Sequence, residues 1–357
     1  LKKKIRFFHL LNNYTGSPQV LRSVIEICVQ EGYEVILYTS DTKGFLSGIS
    51  GITYQPNFYR RSEHRAITLF TFFLSQLLLG CILLRTWSEK SIFYVNTILP
   101  FSAIFAGKLM GKRVISHVHE YELSPKILNN FLFWVTRTFS SDLVVVSKFL
   151  ARNSSLGGRT VHLIPNAVNK VIADKGHSVA WSDDQFQVLM LASLRPYKGI
   201  GDFVKLANRM VNIQFVLVLS DLEEDVDSWT ESLDFGDNLK IYPVQDDVVQ
   251  FYQSSHLVLN LAHPEEWLET FGLTILEGFQ FGLPAIVPTR GGVIDLVDHG
   301  VNGYLIDYFD QDKLIRAIVD LSSSRDVWHQ MSIEAKKKAA LFSNDVFRTR
   351  ILKLLNQ

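Results

Sequence analysis

Two glutamates, Glu269 and Glu277, frame the segment ETFGLTILE, which follows the apolar run Leu257–Asn260. The spacing of apolar residues predicts that a helix opens inside this segment. A helix start presents unpaired amides and a partial positive charge, which suits phosphate oxygens. Gly272 would let a ligand approach the backbone closely. Glu277, two helical turns along the same face, could accept hydrogen bonds from ribose hydroxyls. Taken alone, Glu269 reads equally well as a carboxylate answering the helix dipole. A cation stands in the segment from Ser193 to Gly199 (SLRPYKG), just past the run Val188–Ala192. There Lys198 could neutralise a departing pyrophosphate, or it could be a solvated surface lysine.

Other chemistries are excluded by pattern. No GxGxxG follows the first apolar run and no GxxxxGK[ST] occurs, which argues against dinucleotide and P-loop sites. No GxSxG elbow is present. Asp225-Val-Asp227 sits in an acidic run that reads as a solvated loop rather than a metal site. His117 and His119 share one face of a strand by simple alternation, and no third ligand is evident nearby. No metal is expected.

The elements that must position these residues are legible as alternation. Strand-like runs in the first half are Ile5–Leu11, Val35–Thr39, Ile92–Val95, Val114–Val118, Leu143–Val146 and Val161–Ile164. The second half continues with Val188–Ala192, Phe215–Leu219, Leu239–Ile241, Leu257–Asn260, Ala285–Val287 and Tyr304–Ile306. Helix-length stretches such as Gln19–Gln30 and Phe101–Met110 lie between. Such alternation implies parallel sheets, and a dozen strands divide naturally into two Rossmann-like α/β domains. The expected division is an N-terminal domain at 1–168, a linker at 169–186, a C-terminal domain at 187–340, and a last helix within 341–357 packing back on the first domain. Ligands in such sheets bind beyond the carboxyl ends of the strands, so two such domains should face each other across a cleft.

The net charge is zero, but it is unevenly placed: residues 1–168 hold 19 Lys and Arg against 9 Asp and Glu, and the remainder 17 against 27. A basic first half suits an anionic partner, such as a lipid headgroup surface or an acidic acceptor. It also suits an electrostatic match to the second half. The stretch Ala66–Leu84 is long enough to cross a bilayer, yet Thr68, Thr71, Ser75 and Gln76 interrupt it. It is expected to be a buried or surface-lying helix, with lying on a membrane as a variant. Cys28 and Cys81, the only cysteines, are expected to be buried thiols in a reducing compartment.

Several ordered motifs together resemble the GT-B glycosyltransferases of the retaining family 4, or group 1, type. They are Glu269 and Glu277 as an E-x7-E pair, the stretch GLPAIVPTRGGVIDLVDHGVNGYLI from Gly282 to Ile306, Lys198-Gly199, the turn Pro165-Asn166-Ala167-Val168, and VISHVHEY ending past His119. The resemblance implies that Glu269 contacts the donor sugar, helped by the amides of Phe271, Gly272 and Leu273, and that Glu277 holds the ribose. It implies that Lys198 stabilises the diphosphate, that His119 positions the sugar, and that Gly16 begins a loop near the phosphates. Three positions depart from the pattern: Ser193 stands where many members carry an arginine, which Arg195 would replace; Gly16 is followed by Ser17 and Pro18; and Ala167 replaces a glycine. The implied activity is metal-independent transfer from a UDP- or GDP-sugar, with no cofactor and no nucleic acid partner. The basic first half and the apolar stretch Ile67–Leu84, rather than the resemblance, favour a lipid-linked glycan acceptor at a membrane surface, as in bacterial surface polysaccharide synthesis. The expected location is the cytoplasm, with attachment to the inner face of the membrane as a variant. A nucleotide-sugar epimerase of similar fold, or a silent nucleotide-sugar-binding subunit, would use the same donor residues.

Overall fold

A computed structural model describes residues 2–62, 64–181 and 185–357. The chain divides into two compact units. The first runs to Pro165 and takes in Arg348–Gln357; the second is Asn166–Phe347.

In chain order the first unit comprises β1 (Lys4–Phe8), α1 (Gly16–Gln30), β2 (Glu34–Thr39), β3 (Ile52–Pro56), α2 (Arg65–Leu84), β4 (Ile92–Asn96), α3 (Phe101–Leu109), β5 (Val114–Val118), α4 (Lys126–Phe139), β6 (Asp142–Val145), α5 (Lys148–Asn153) and β7 (His162–Leu163). Its strands form one parallel sheet in the order β3-β2-β1-β4-β5-β6-β7. The central strands β1, β4 and β5 are buried along nearly their whole length because helices cover both faces. Phe7, Phe8, Phe93 and Tyr94 are fully buried there. β3 lies at an edge and exposes most of its residues, and its polar composition (ITYQP) hides it from a search for apolar runs.

The second unit comprises α6 (Lys170–Lys175), β8 (Gln187–Ala192), α7 (Ile200–Arg209), β9 (Gln214–Leu219), α8 (Glu223–Thr230), β10 (Leu239–Tyr242), α9 (Val249–Gln253), β11 (Leu257–Leu259), α10 (Leu273–Gln280), β12 (Ala285–Val287), β13 (Gly303–Leu305), α11 (Gln311–Ser323) and α12 (Arg325–Ala340); α13 (Asn344–Leu355) begins here. Its parallel sheet has the order β10-β9-β8-β11-β12-β13.

Both sheets reverse direction once. The reversal lies between β1 and β4 in the first unit and between β8 and β11 in the second. In an open α/β sheet the usual ligand position is outside the carboxyl ends of the strands at such a reversal.

Three expectations need correction. The division falls after Pro165 rather than Val168, and 169–186 is not a free linker. Asn169 caps α6 by accepting from the Val171 amide at 2.8 Å, and Trp181 packs its ring 5.5 Å from that of Trp328; residues 182–184 of that stretch lie outside the described residues. Asp225 and Asp227 lie on α8, not in a loop. Cys81 is exposed, because it falls on the outward side of α2, whereas Cys28 is buried with its thiol pushed up to about 12. The last helix anchors in the first unit from Arg348 onward. Arg113 donates to the Leu354 carbonyl at 2.8 Å, Arg348 donates to Gln30 at 2.6 Å and pairs with Glu31, and Ile351 is fully buried.

Candidate active site

In the second unit, the segments after β8 and β11 meet at the strand reversal. The first makes a 3-10 turn at Pro196–Lys198 and ends in left-handed Gly199. Asp221, after β9, holds its approach by accepting from the Leu194 amide at 2.6 Å. The second segment is tied down by His263, whose amide donates to the Tyr197 carbonyl at 2.8 Å. Its ring stacks on Tyr308 with centroids 3.7 Å apart and bonds Asp202 at 2.8 Å.

These constraints bring Lys198 Nζ to 2.8 Å from Glu269 Oε2, both side chains about one-fifth exposed. The ammonium also lies 5.7 Å from the Trp267 ring centroid, and Trp267 stacks on Tyr197 at 5.5 Å. Ring and carboxylate both attract the ammonium and hold it at this point. Glu269 therefore answers a lysine rather than the helix dipole. It precedes the helix instead of opening it, since Gly272 is the N-cap of α10.

Phe271 is buried against Phe342, so only its backbone is available to a ligand. Leu273 is the first residue of α10, whose opening amides lack partners within the helix. Behind Glu269, Gly291 adopts φ +111 and ψ −179, and a Cβ there would stand 2.7 Å from the Glu269 carbonyl. The Gly292 amide donates to that same carbonyl at 2.6 Å. The glycine pair thus sets the height of Glu269 by backbone contact. Glu277 is buried in α10, where it accepts from Tyr252 Oη at 2.8 Å, and Tyr252 stacks on Phe281 with rings 3° from parallel. Arg195 is exposed beside the turn, two residues beyond Ser193.

The first unit gathers a second group. His119 follows β5, and its Nε2 lies 2.9 Å from Asn96 Oδ1 at the end of β4. The Asn96 amide nitrogen lies 3.1 Å from His9 Nδ1 and donates to the Ser17 carbonyl at 3.1 Å. One asparagine therefore ties His119 to the start of α1, where Gly16 is the first helical residue. The network assigns the tautomers: His119 carries its proton on Nε2, which leaves Nδ1 to accept from a hydroxyl. Sequence reasoning missed Asn96, whose only signal is its place at a strand end beside the reversal. Next to it Thr97 holds φ +72, a conformation uncommon outside glycine. Glu120 accepts from the amides of Ile98 and His119 at 3.3 and 3.1 Å.

Burial dominates the electrostatics of this group. It pushes His9 down to about 4, His117 down to about 3, and His119 well below the usual range, so all three are neutral near pH 7. It pushes Glu120 up to about 7, against the opposing pull of the amide bonds. A depressed histidine adds stability that is present above pH 6.5 and is lost as the pH falls through its folded value. Glu120 does the reverse, adding stability below its ordinary 4.5 that is lost as the pH rises through about 7. Melting temperature scanned from about pH 4 to about pH 8 is expected to rise and then level off above about pH 7.5, since the three histidines together outweigh the opposing effect of Glu120. Glu120→Gln should steepen the rise between about pH 5 and 7; a flat profile would show that these groups are solvated.

Among the described residues, no cluster of three or more His, Cys, Asp or Glu side chains is assembled that could hold a metal ion. His117 and His119 stand 4.4 Å apart by ring centroid, but His117 Nδ1 is engaged by Tyr94 Oη at 2.9 Å and His119 by Asn96.

A model of the family described as glycosyl transferases group 1 matches residues 173–338, which lie wholly inside the second unit. The second unit is a group 1 glycosyltransferase domain. Among curated relatives, probable sucrose-phosphate synthase 3 of Arabidopsis thaliana is 32% identical over 99 residues, 28% of this chain. That match spans only 9% of the relative's length. HepE from Anabaena, solved with UDP and glucose, is 19% identical with a TM-score of 0.82, covering 99% of this chain and 100% of its own. Sucrose-phosphate synthase from Thermosynechococcus elongatus is 15% identical with a TM-score of 0.80, covering 100% and 99%. These likenesses give the chain the GT-B glycosyltransferase fold, and its group 1 domain carries Lys198, Glu269 and Glu277.

Proposed function

We propose that this chain transfers a sugar from a UDP-sugar to a hydroxyl acceptor, with retention of anomeric configuration and without a metal. The observation that carries the reading is the Lys198–Glu269 pair held 2.8 Å apart beside the opening of α10. Lys198 has three N–H donors, so it can keep Glu269 and still reach a phosphate oxygen. With Arg195 and the amides of Gly272 and Leu273, it stabilises charge as it builds on the departing diphosphate. Glu269 accepts from the donor sugar's hydroxyls, and Glu277, stiffened by Tyr252, holds the ribose. His119, with Nδ1 as acceptor, orients a sugar hydroxyl. HepE was solved with UDP and with UDP-glucose, which favours a uridine donor over GDP.

The acceptor is proposed to be a lipid-linked glycan of bacterial surface polysaccharide synthesis, met by the enzyme in the cytoplasm at the inner face of the membrane. The basic, apolar character of the first unit supports this. A thermal-shift comparison of UDP, GDP and their common sugars tests the donor, because a ligand of the native state raises its melting temperature. UDP and UDP-sugars are expected to stabilise and GDP to do so weakly. No shift with any of them would overturn the donor site.

A further inference from the structure

The helix α2 has 20 residues and a mean hydropathy of 2.2, enough by length and composition to cross a bilayer. Its packing holds it in the domain instead. One stripe, including Phe72, Gln76, Leu79 and Leu83, is buried, and Gln76 Oε1 accepts from the Ser102 amide at 3.2 Å at the start of α3. The opposite stripe of a surface helix should be polar. Here it is Ile67, Phe70, Phe73, Leu77 and Leu84, with Phe70 67% and Leu77 64% exposed.

This apolar surface continues onto the neighbouring helices. An unbroken series of ring contacts runs from exposed Phe73 to Phe101 at 6.3 Å, on to Phe131 at 5.2 Å, and to exposed Trp134 at 6.3 Å. From Trp134 it passes through Phe139 at 5.5 Å to exposed Phe105 at 5.4 Å. The exposed rings on α2, α3 and α4 therefore belong to one patch. Large contiguous apolar patches on soluble proteins mark interaction surfaces.

Its charge identifies the partner. α2, α3 and α4 contain no Asp or Glu. Arg60 and Arg61 precede α2, Arg65 and Arg85 stand at its ends, and Lys108 and Arg137 project from α3 and α4; all are exposed. None of these six cations is in an ion pair among the described residues. A second copy of the chain would fit poorly, because a twofold contact sets the same cations against one another.

We propose that the outer faces of α2, α3 and α4 dock on an anionic lipid bilayer. α2 lies in the plane of the headgroups, Phe70, Phe73, Leu77 and Trp134 enter the acyl boundary, and the cations meet lipid phosphates. This combination of apolar face and basic rim is what interfacial helices use. The inference deepens the lipid-linked acceptor reading and rests on it for its biological purpose, though not for its physical basis.

Flotation of the full chain with vesicles of phosphatidylcholine, alone or mixed equally with phosphatidylglycerol, tests it. Binding is expected to the anionic vesicles and to weaken as salt rises. A Phe70→Ser, Leu77→Ser double variant alters only exposed positions and should lower partitioning about tenfold or more, while Arg61→Glu, Arg65→Glu should abolish the anionic preference. Both variants should retain the wild-type melting temperature and the UDP-induced shift, which separates loss of docking from loss of the donor site. Vesicle binding without a UDP shift would keep the docking surface and overturn the donor reading. Wild-type flotation by both variants, no flotation by the wild type, or a dimer that the serine variant dissolves would each overturn the proposal.

Discussion

Lys198→Ala is expected to lower kcat for sugar transfer by about two to three orders of magnitude, the scale of losing one preorganised charge-stabilising donor. The KM for the donor should change far less, because the ammonium matters most when the leaving diphosphate gains charge. Folding should be nearly untouched. Lys198 and Glu269 are both partly exposed, so water can solvate the carboxylate left behind, and pairs of this kind contribute about 0–1 kcal/mol. Lys198→Arg should recover only part of the rate, since a planar guanidinium cannot occupy the same point between Glu269 and the Trp267 face. Initial rates with a UDP-sugar, paired with melting curves, separate these effects. A Lys198→Ala variant with wild-type kcat would remove the lysine from the reaction.

Gly291→Ala should have the opposite signature, acting through position rather than charge. At φ +111 and ψ −179 the backbone is in a region that is essentially glycine-only, where a side chain costs about 1–3 kcal/mol. The added methyl also meets the Glu269 carbonyl 2.7 Å away, so the loop carrying Glu269 must move. The melting temperature is expected to fall by several degrees and UDP-sugar affinity by about tenfold or more, because a displacement near 1 Å is enough to spoil a preorganised site. Gly300→Ala is the control: it too has positive φ, at +75, but nothing lies within 4 Å of its Cβ. It should lower stability and leave binding unchanged. Equal binding in both variants would show that Gly291 does not set the position of Glu269.

The two-sheet fold was readable because most strands are largely buried and so appear as short runs dominated by apolar residues. β3 escaped because an edge strand needs no such run, and Thr53, Tyr54 and Gln55 face outward. Within the site, residue types and their order pointed to Lys198 and Glu269 separately. Their pairing depends on the adjacency of β8 and β11, which local pattern does not report. The same blindness concealed Asn96, whose role arises from bonds to His119, just past β5, and to Ser17 on α1, both distant in sequence. It also concealed Tyr252, which reaches Glu277 from another helix. Side-chain exposure was the least legible quantity. Cys81 sits in an apolar stretch that reads as interior, yet half of that stretch faces outward.

The path of the chain between its two units has a practical corollary. The polypeptide leaves the first unit at Pro165 and returns at Arg348, so the group 1 domain is threaded into the first unit as an insertion. Residues 1–165 made alone would lack the segment that fills the seat of Ile351 and Leu354 and would leave Arg113 without its carbonyl partners. Separating or exchanging the group 1 domain therefore requires two junctions, one on each side of the insertion. A chimera spliced only at Pro165 would carry a foreign closing helix against Glu31 and Arg113, and its first unit would fail before any question of donor preference arose.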